Sequence, residues 1–245
     1  MTDNYSPHEL EWNPARVARI WDFYASTPAY RTAFFSAHSG GAIVKRANAL
    51  IGLEGKSVLD FGCGRGDLLA PLLAHGGRVT GLEFSPDAAE ESLARFRGHE
   101  RFQGVVVTED LPSELTETFD VVFLIEVLEH LLPEQIEGTL AEVHRLIKPG
   151  GSAVVTTPNA EVLGEAAVHC PECGATFHRW QHQRTLDSTS IVALFAEHGF
   201  RTTHVEALYW GLSRLGALRQ RLKRKGHVPQ PHLFYVGEPV PSASR

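Results

Sequence analysis

Five short apolar runs, spaced along the middle of the chain, restrict its fold more than any other feature. They are Ser57–Phe61, Arg78–Glu83, Gly104–Thr108, Asp120–Ile125 and Ser152–Thr157, each too short for a helix and bounded by Gly, Asp or Pro. Stretches of helical character lie between them at Asp67–His75, Pro86–Arg97 and Pro133–Ile147. This alternation predicts a parallel, doubly wound α/β sheet with helices on both faces, because a strand can pair again in the same direction only after a crossover. Lys148-Pro149-Gly150-Gly151 reads as the turn that ends the longest helix and opens the fifth strand.

On either side the rhythm changes. Residues 14–51 read as helices interrupted near Pro28 and at Gly40-Gly41, with aromatics Trp21, Phe23, Tyr24, Tyr30, Phe34 and Phe35. Residues 1–52 are therefore expected to form a helical cap, lying over the mouth of the sheet as a lid or packing against it, ahead of one domain over 53–245. Beyond Thr157 comes an irregular segment, 158–187, then a helix over Ser188–His198 and a strand over Phe200–Ala207. A basic insert at 208–230 follows, then a last strand over Leu233–Val236, and the five parallel strands are expected to continue into a final antiparallel, hairpin-like edge. Within the insert Arg214, Arg219, Arg221, Lys223, Arg224 and Lys225 have no acid among them, while Leu212, Leu215, Leu218 and Leu222 supply an apolar side, so packing of a solvated helix is favoured over recognition of an anion.

The length of 245 residues suits one α/β domain with embellishments, and 43% hydrophobic with 21% charged residues is the balance of a globular protein. The polar, acidic start lacks the order of a secretory signal and no apolar run is long enough to cross a bilayer, so a soluble, cytoplasmic protein without membrane insertion is expected. A net charge of −6 gives no global attraction to nucleic acid.

The first apolar run feeds directly into Gly62-Cys63-Gly64-Arg65-Gly66-Asp67. Glycines in such a turn let the backbone approach a ligand closely, and a helix N-terminus offers free N–H groups. The G-x-G-x-G spacing departs from the G-x-G-x-x-G of dinucleotide sites, which counts against a dehydrogenase. Asp60 stands where a carboxylate can meet an ammonium, and Glu83, closing the second strand, where an acid can accept hydrogen bonds from two ribose hydroxyls.

As a set these residues resemble the class I, Rossmann-like S-adenosylmethionine-dependent methyltransferases. Val58–Asp67 (VLDFGCGRGD) is similar to the family's first motif, Gly81-Leu82-Glu83-Phe84-Ser85 to its second, Glu109-Asp110-Leu111-Pro112 to its adenine-side loop and FDVVFLIEVLEHL to its fourth-strand motif, over roughly residues 55–160. The resemblance implies a seven-stranded sheet and S-adenosylmethionine as cofactor. It implies that Asp60, Gly62 and Gly64 line the methionine part, Glu83 holds the ribose, Phe84 packs on the adenine, Asp110 and Leu111 border it, and Ile125 offers backbone contacts. Cys63 reads as a small residue tolerated in the turn rather than a nucleophile.

Methyl transfer from a sulfonium is an in-line displacement, so the protein has to align donor and acceptor and keep the nucleophile unprotonated. Past the fourth strand, Glu126, Glu129 and His130 fall at i, i+3 and i+4 of an expected helical turn, where they could face one point and seat a divalent cation, Mg or Zn. This E-x-x-E-H pattern resembles the metal-binding element of small-RNA 2′-O-methyltransferases and ubiquinone-pathway O-methyltransferases. In the RNA group a further histidine follows a T-P-N turn. Here Thr157-Pro158-Asn159 is followed by His178 and His182, and His182 is the better match, giving Glu126, Glu129, His130 and His182 as the metal set. In the metal-free alternative His130 or His182 is the catalytic base.

Cys170-x-x-Cys173 with His178 and His182 has the spacing C-x2-C-x4-H-x3-H, which admits four tetrahedral zinc ligands; unmetallated thiols are the alternative, since His182 cannot serve both sites. The sequence thus predicts a methyltransferase acting at oxygen on a small or carrier-linked acceptor. A metal-dependent RNA 2′-O-methyltransferase, whose Asp-His and Phe-Glu-Trp context is missing here, is second, and a non-catalytic interaction module that keeps the fold is third.

Overall fold

The computed structural model describes residues 5–30, 33–108, 115–210 and 231–241. In chain order its elements begin with β1 (His8–Glu9), α1 (Pro14–Ser26), α2 (Phe35–Ile51), β2 (Ser57–Phe61), α3 (Leu69–Ala74), β3 (Arg78–Glu83), α4 (Pro86–Phe96) and β4 (Phe102–Val107). They continue with β5 (Phe119–Ile125), α5 (Ile136–Leu146), β6 (Ile147–Pro158), β7 (Ala167–His169), β8 (Ala175–His178), α6 (Ser188–Glu197), β9 (Phe200–Leu208) and β10 (His232–Pro239). Seven strands form one sheet in the order β4-β3-β2-β5-β6-β10-β9, parallel from β4 through β6 and antiparallel at both contacts of β10. The doubly wound α/β fold expected from the alternation is the fold observed.

The sheet buries both faces, and β5 shows how. Val122 and Leu124 join a core with Leu140, Val143 and Leu146 of α5 and Ile191 and Phe195 of α6. Val121 and Phe123 point the other way, onto Ile43, Val44 and Ala47 of α2 and Leu69 and Leu72 of α3. A strand covered on both sides is apolar throughout, which is why these runs do not alternate. The expected antiparallel, hairpin-like edge is observed, and the same rule sets the order within it. Leu233, Phe234, Tyr235 and Val236 are all buried, so β10 is inserted between β6 and β9, and the half-exposed β9 is the edge.

Several boundaries differ from expectation for local reasons. Gly40-Gly41 does not interrupt α2; a Cβ on Gly40 would lie 3.3 Å from Leu68 Cδ1, so the glycine permits close packing within a continuous helix. The glycine turn runs on before α3, which covers only Leu69–Ala74. Leu146 passes directly into β6, and the Lys148–Gly151 turn is a bulge inside that strand, between the pairs Phe119↔Ile147 and Val121↔Ser152, with Gly150 at φ 77°. The segment expected to be irregular contains a second sheet, β1-β8-β7, in which β7 and β8 form an antiparallel hairpin and β1 pairs parallel to β8. The basic strip Arg214–Lys225 lies outside the described residues.

Candidate active site

The C-terminal ends of β2 and β5 mark where the strand order turns in opposite directions, the place where open α/β sheets bind ligands. Beyond β2 the chain turns sharply through Gly62 (φ 78°) and Gly64 (φ 52°), left-handed conformations that glycine adopts without strain. The turn is pinned by N–H donation from Gly62 and Cys63 to the Leu82 carbonyl, at 2.8 and 2.9 Å. Glu83 accepts the Gly64 N–H on Oε2 at 2.6 Å and the N–H groups of Phe84 and Ser85 on Oε1 at 2.9 and 2.8 Å, which ties the two expected cofactor motifs together. Burial raises its pKa despite those three donors.

Asp60 is 2% exposed, and its Oδ2 has no hydrogen-bond partner. Burial first, then the charges of Glu83 and Asp67, push its carboxyl up to about 8. A buried carboxyl so disposed ionises readily only beside a cation, and the ammonium of a methionine moiety is such a cation. Cys63 is buried and its thiol is driven upward by burial and by Asp60, which makes it inert. The exposed Phe84 ring lies 6.1 Å from Phe61, beside a cleft of about 670 Å³ walled by Asp22, Phe23 and Ser26 of α1 on one side and Arg65, Ser85 and Asp87 on the other. Asp110 and Leu111 lie outside the described residues, and the half-buried Ile125 ends β5.

The second group of side chains follows β5. Instead of a helical turn, the chain takes φ 54° at Glu126 and then a short 3₁₀ turn over Leu128–His130. Glu129 and His130 meet His182 there, their ligand atoms within 4.8 Å of one another. Glu126 stands beside this trio but outside it: Thr156 Oγ1 donates to its Oε1 at 2.8 Å, and His232 Nε2 is 3.3 Å from its Oε2. The buried Glu129 oxygens make no well-aligned hydrogen bond, with the Thr157 hydroxyl and the Glu126 carboxyl as their polar neighbours; burial, then the charge of Glu126, raises that carboxyl well above its ordinary range. Burial, then His182 and His178, lowers His130 well below the usual imidazole range, so its ring is neutral, with Nδ1 unpartnered.

Helix α1 closes over this group. Trp21 presents its edge to His130 at 4.8 Å between ring centroids and donates from Nε1 to Gln181 Oε1 at 3.1 Å, while Gln181 Nε2 donates to the His130 carbonyl at 2.8 Å. The 3₁₀ turn is also held by the Gln183 N–H on the Glu129 carbonyl at 2.7 Å. A second trio, Glu161, His178 and His182, adjoins the first. Roles for Glu161, Gln181 and His232 had no sequence signal, since each is a lone polar residue brought in from a distant segment.

The tetrahedral set of Cys170, Cys173, His178 and His182 is not formed. Cys170 and Cys173 sit in the turn of the β7–β8 hairpin, closed by N–H donation from Cys170 to Ala175 O and from Gly174 to Cys170 O. His178 is at the far end of β8, about 10 Å away at the usual strand rise, and the groups of three or more ligand atoms among the described residues contain neither cysteine.

Among the described residues no helix is long and apolar enough to cross a membrane. A family model described as a methyltransferase domain matches residues 37–205. The ubiquinone biosynthesis O-methyltransferase of Pseudomonas syringae pv. tomato is 39% identical over 123 residues, 48% of this chain and 49% of that protein. The chain thus spans about half the length of the curated relatives it matches. Among solved structures, the 1,6-didemethyltoxoflavin-N1-methyltransferase of Burkholderia thailandensis, with bound S-adenosylhomocysteine, superposes with a TM-score of 0.66 at 20% identity, covering 96% of this chain and 94% of that one. The glycopeptide N-methyltransferase MtfA, complexed with S-adenosylmethionine, gives a TM-score of 0.60 at 16% identity over 83% and 88% of the two chains.

Proposed function

This chain belongs to the methyltransferase domain family, as a class I S-adenosylmethionine-dependent methyltransferase, and from that premise we propose that it methylates an oxygen of a small or carrier-linked acceptor. The O-methyltransferase relatives support oxygen as the methylated atom. The trio Glu129, His130 and His182, beside the ends of β5 and β6, supports a site that takes up a proton.

S-adenosylmethionine, when bound, supplies a methyl group on a sulfonium, which becomes a neutral thioether as the acceptor oxygen takes the methyl. Asp60 fits the ammonium of the methionine part, and its unpartnered buried oxygen carries that assignment. The backbone at Gly62 and Gly64 leaves room beside it; Glu83 would hold the ribose, Phe84 would pack on the adenine and Ile125 would offer backbone contacts. At the acceptor end His182 takes the hydroxyl proton, neutral His130 orients the oxygen, and Trp21 with α1 keeps water out.

A second reading is favoured by one observation: two buried Glu129 oxygens without a well-aligned hydrogen bond are suited to a divalent cation held with His130 and His182 and with Glu126 alongside. Titration calorimetry with S-adenosylhomocysteine tests the cofactor end: binding by the wild type and its loss in both Asp60→Ala and Glu83→Ala is expected, whereas a folded wild type that binds nothing would overturn the assignment. Labelled methyl transfer to phenols and nucleotide sugars, with RNA as comparison, tests the acceptor class. Transfer to nitrogen alone, or to RNA alone, would replace it.

A further inference from the structure

Between β6 and α6 a chain of hydrogen bonds, completed by a 3.4 Å contact from His178 Nε2 to Glu161, assigns the protons on two histidine rings around one carboxylate that no expected site includes. It starts in the backbone. Gln181 has φ 63° and donates its N–H to the His178 carbonyl at 2.9 Å, a tight turn that folds the following peptide back over the His178 ring. His178 Nδ1 thereby receives the backbone N–H groups of Trp180 at 3.3 Å and of His182 at 3.1 Å. A ring nitrogen that accepts amide hydrogens carries a lone pair and no proton, so the His178 proton is on Nε2. That nitrogen is 3.4 Å from Glu161 Oε1.

The other oxygen of Glu161 is hydrogen-bonded to His182 Nδ1. Glu161 thus stands between the two rings, one oxygen facing His178 Nε2 and the other His182 Nδ1. An ionised carboxylate only accepts, so the proton between Glu161 and His182 is on Nδ1, and the proton-free nitrogen of a neutral His182 is Nε2. The ring has little freedom to turn over, since it stacks on His178 at 4.3 Å and 22° and its side chain is 9% exposed.

We infer that Glu161 is a positioning residue: it fixes His182 as the Nδ1–H tautomer and reserves the lone pair of Nε2 for the Glu129–His130 side of the site. This rests on the reading that His182 faces the acceptor. A free Nε2 takes the proton of an acceptor hydroxyl, after which the imidazolium keeps its Glu161 partner; the opposite tautomer would offer an N–H there and could neither accept that proton nor ligate a cation through that nitrogen. Carboxylates bonded to the far nitrogen of a working histidine play this part generally, and their loss costs about 10- to 100-fold in activity or metal affinity.

The test is long-range ¹H–¹⁵N NMR of the full chain labelled with ¹⁵N-histidine, near neutral pH. The expected spectrum has His182 as Nδ1–H and His178 as Nε2–H. Glu161→Gln, whose amide can either donate or accept, is expected to give His182 mixed tautomers, and Glu161→Asp to restore the single one. For any acceptor the wild type methylates, kcat in Glu161→Gln falls about 10- to 100-fold with KM for S-adenosylmethionine unchanged. His182 found as Nε2–H in the wild type, or a Glu161→Gln spectrum identical to the wild type's, would overturn the inference. Calorimetry with S-adenosylhomocysteine on the same samples separates the two claims: lost cofactor binding with the expected tautomer strikes the proposed function and leaves the positioning role standing.

Discussion

Asp60 ties cofactor affinity to pH. Its carboxyl lies at about 8 in the folded chain against an ordinary value of 3.8, so the folded protein binds a proton that the unfolded chain releases throughout that window. Stability of the unliganded protein should therefore fall as pH rises from the lower value to the upper, and Asp60→Asn should flatten that fall in chemical denaturation. Binding of an ammonium-bearing ligand runs the other way, because the carboxylate has to be ionised to pair with it. The calorimetric affinity for S-adenosylhomocysteine is expected to tighten as pH rises toward about 8 in the wild type and to lose most of that dependence in Asp60→Asn. Glu129 gives a metal test: if its buried oxygens hold a divalent cation, Glu129→Gln loses manganese binding by calorimetry and keeps the cofactor affinity. At this scale the meeting of the glycine turn with Glu83 was legible because both stand at the ends of strands, β2 and β3, that pair side by side. Glu161 and His232 were not, since Glu161 meets His178 and His182 across a folded-back loop and His232 meets Glu126 only through the insertion of β10.

Among the elements, α2 and α1 divide what the sequence presented as one cap. α2 is a covering helix whose Ile43, Val44 and Ala47 complete a core, and Gly40 sets its approach to Leu68. Gly40→Val adds bulk at a contact already at 3.3 Å and is expected to destabilise the fold by about 1–3 kcal/mol, read as a lower denaturation midpoint with an unchanged slope. α1 instead packs on the site, fastened by Trp21 to His130 and Gln181. Trp21→Ala should speed hydrogen exchange in α1 and raise KM for the acceptor, while exchange in α2 stays unchanged. The glycine pair misled as a helix break because the packing that favours glycine there is tertiary, with Leu68 as the neighbour. The small sheet was illegible for a similar reason: β1 is two residues long, and its partner β8 lies more than 160 positions further on.

For the whole molecule, the seven-stranded sheet carries two cores that are independent in composition, and the site lies at the strand ends between them. Phe195 of α6 is fully buried against Phe200 and Tyr235, and Phe195→Ala is expected to cost about 3–5 kcal/mol in denaturant unfolding. Strand and helix content and parallel winding were legible because local periodicity dictates them; the insertion of β10 was not, because the order of distant strands is decided by which run can be buried on both faces. One pairing described above bears on the histidine pair. β1 joins β8 through His8↔Ala175 and Glu9↔Thr176, with Trp12 against Phe177, so the segment ahead of α1 is stitched to the strand that ends in His178. The same pairing ties two distant parts of the chain to the site at once: α1 reaches His130 through Trp21, and β8 delivers His178 against His182, so a change at the first residues is carried by backbone pairing to the histidine pair.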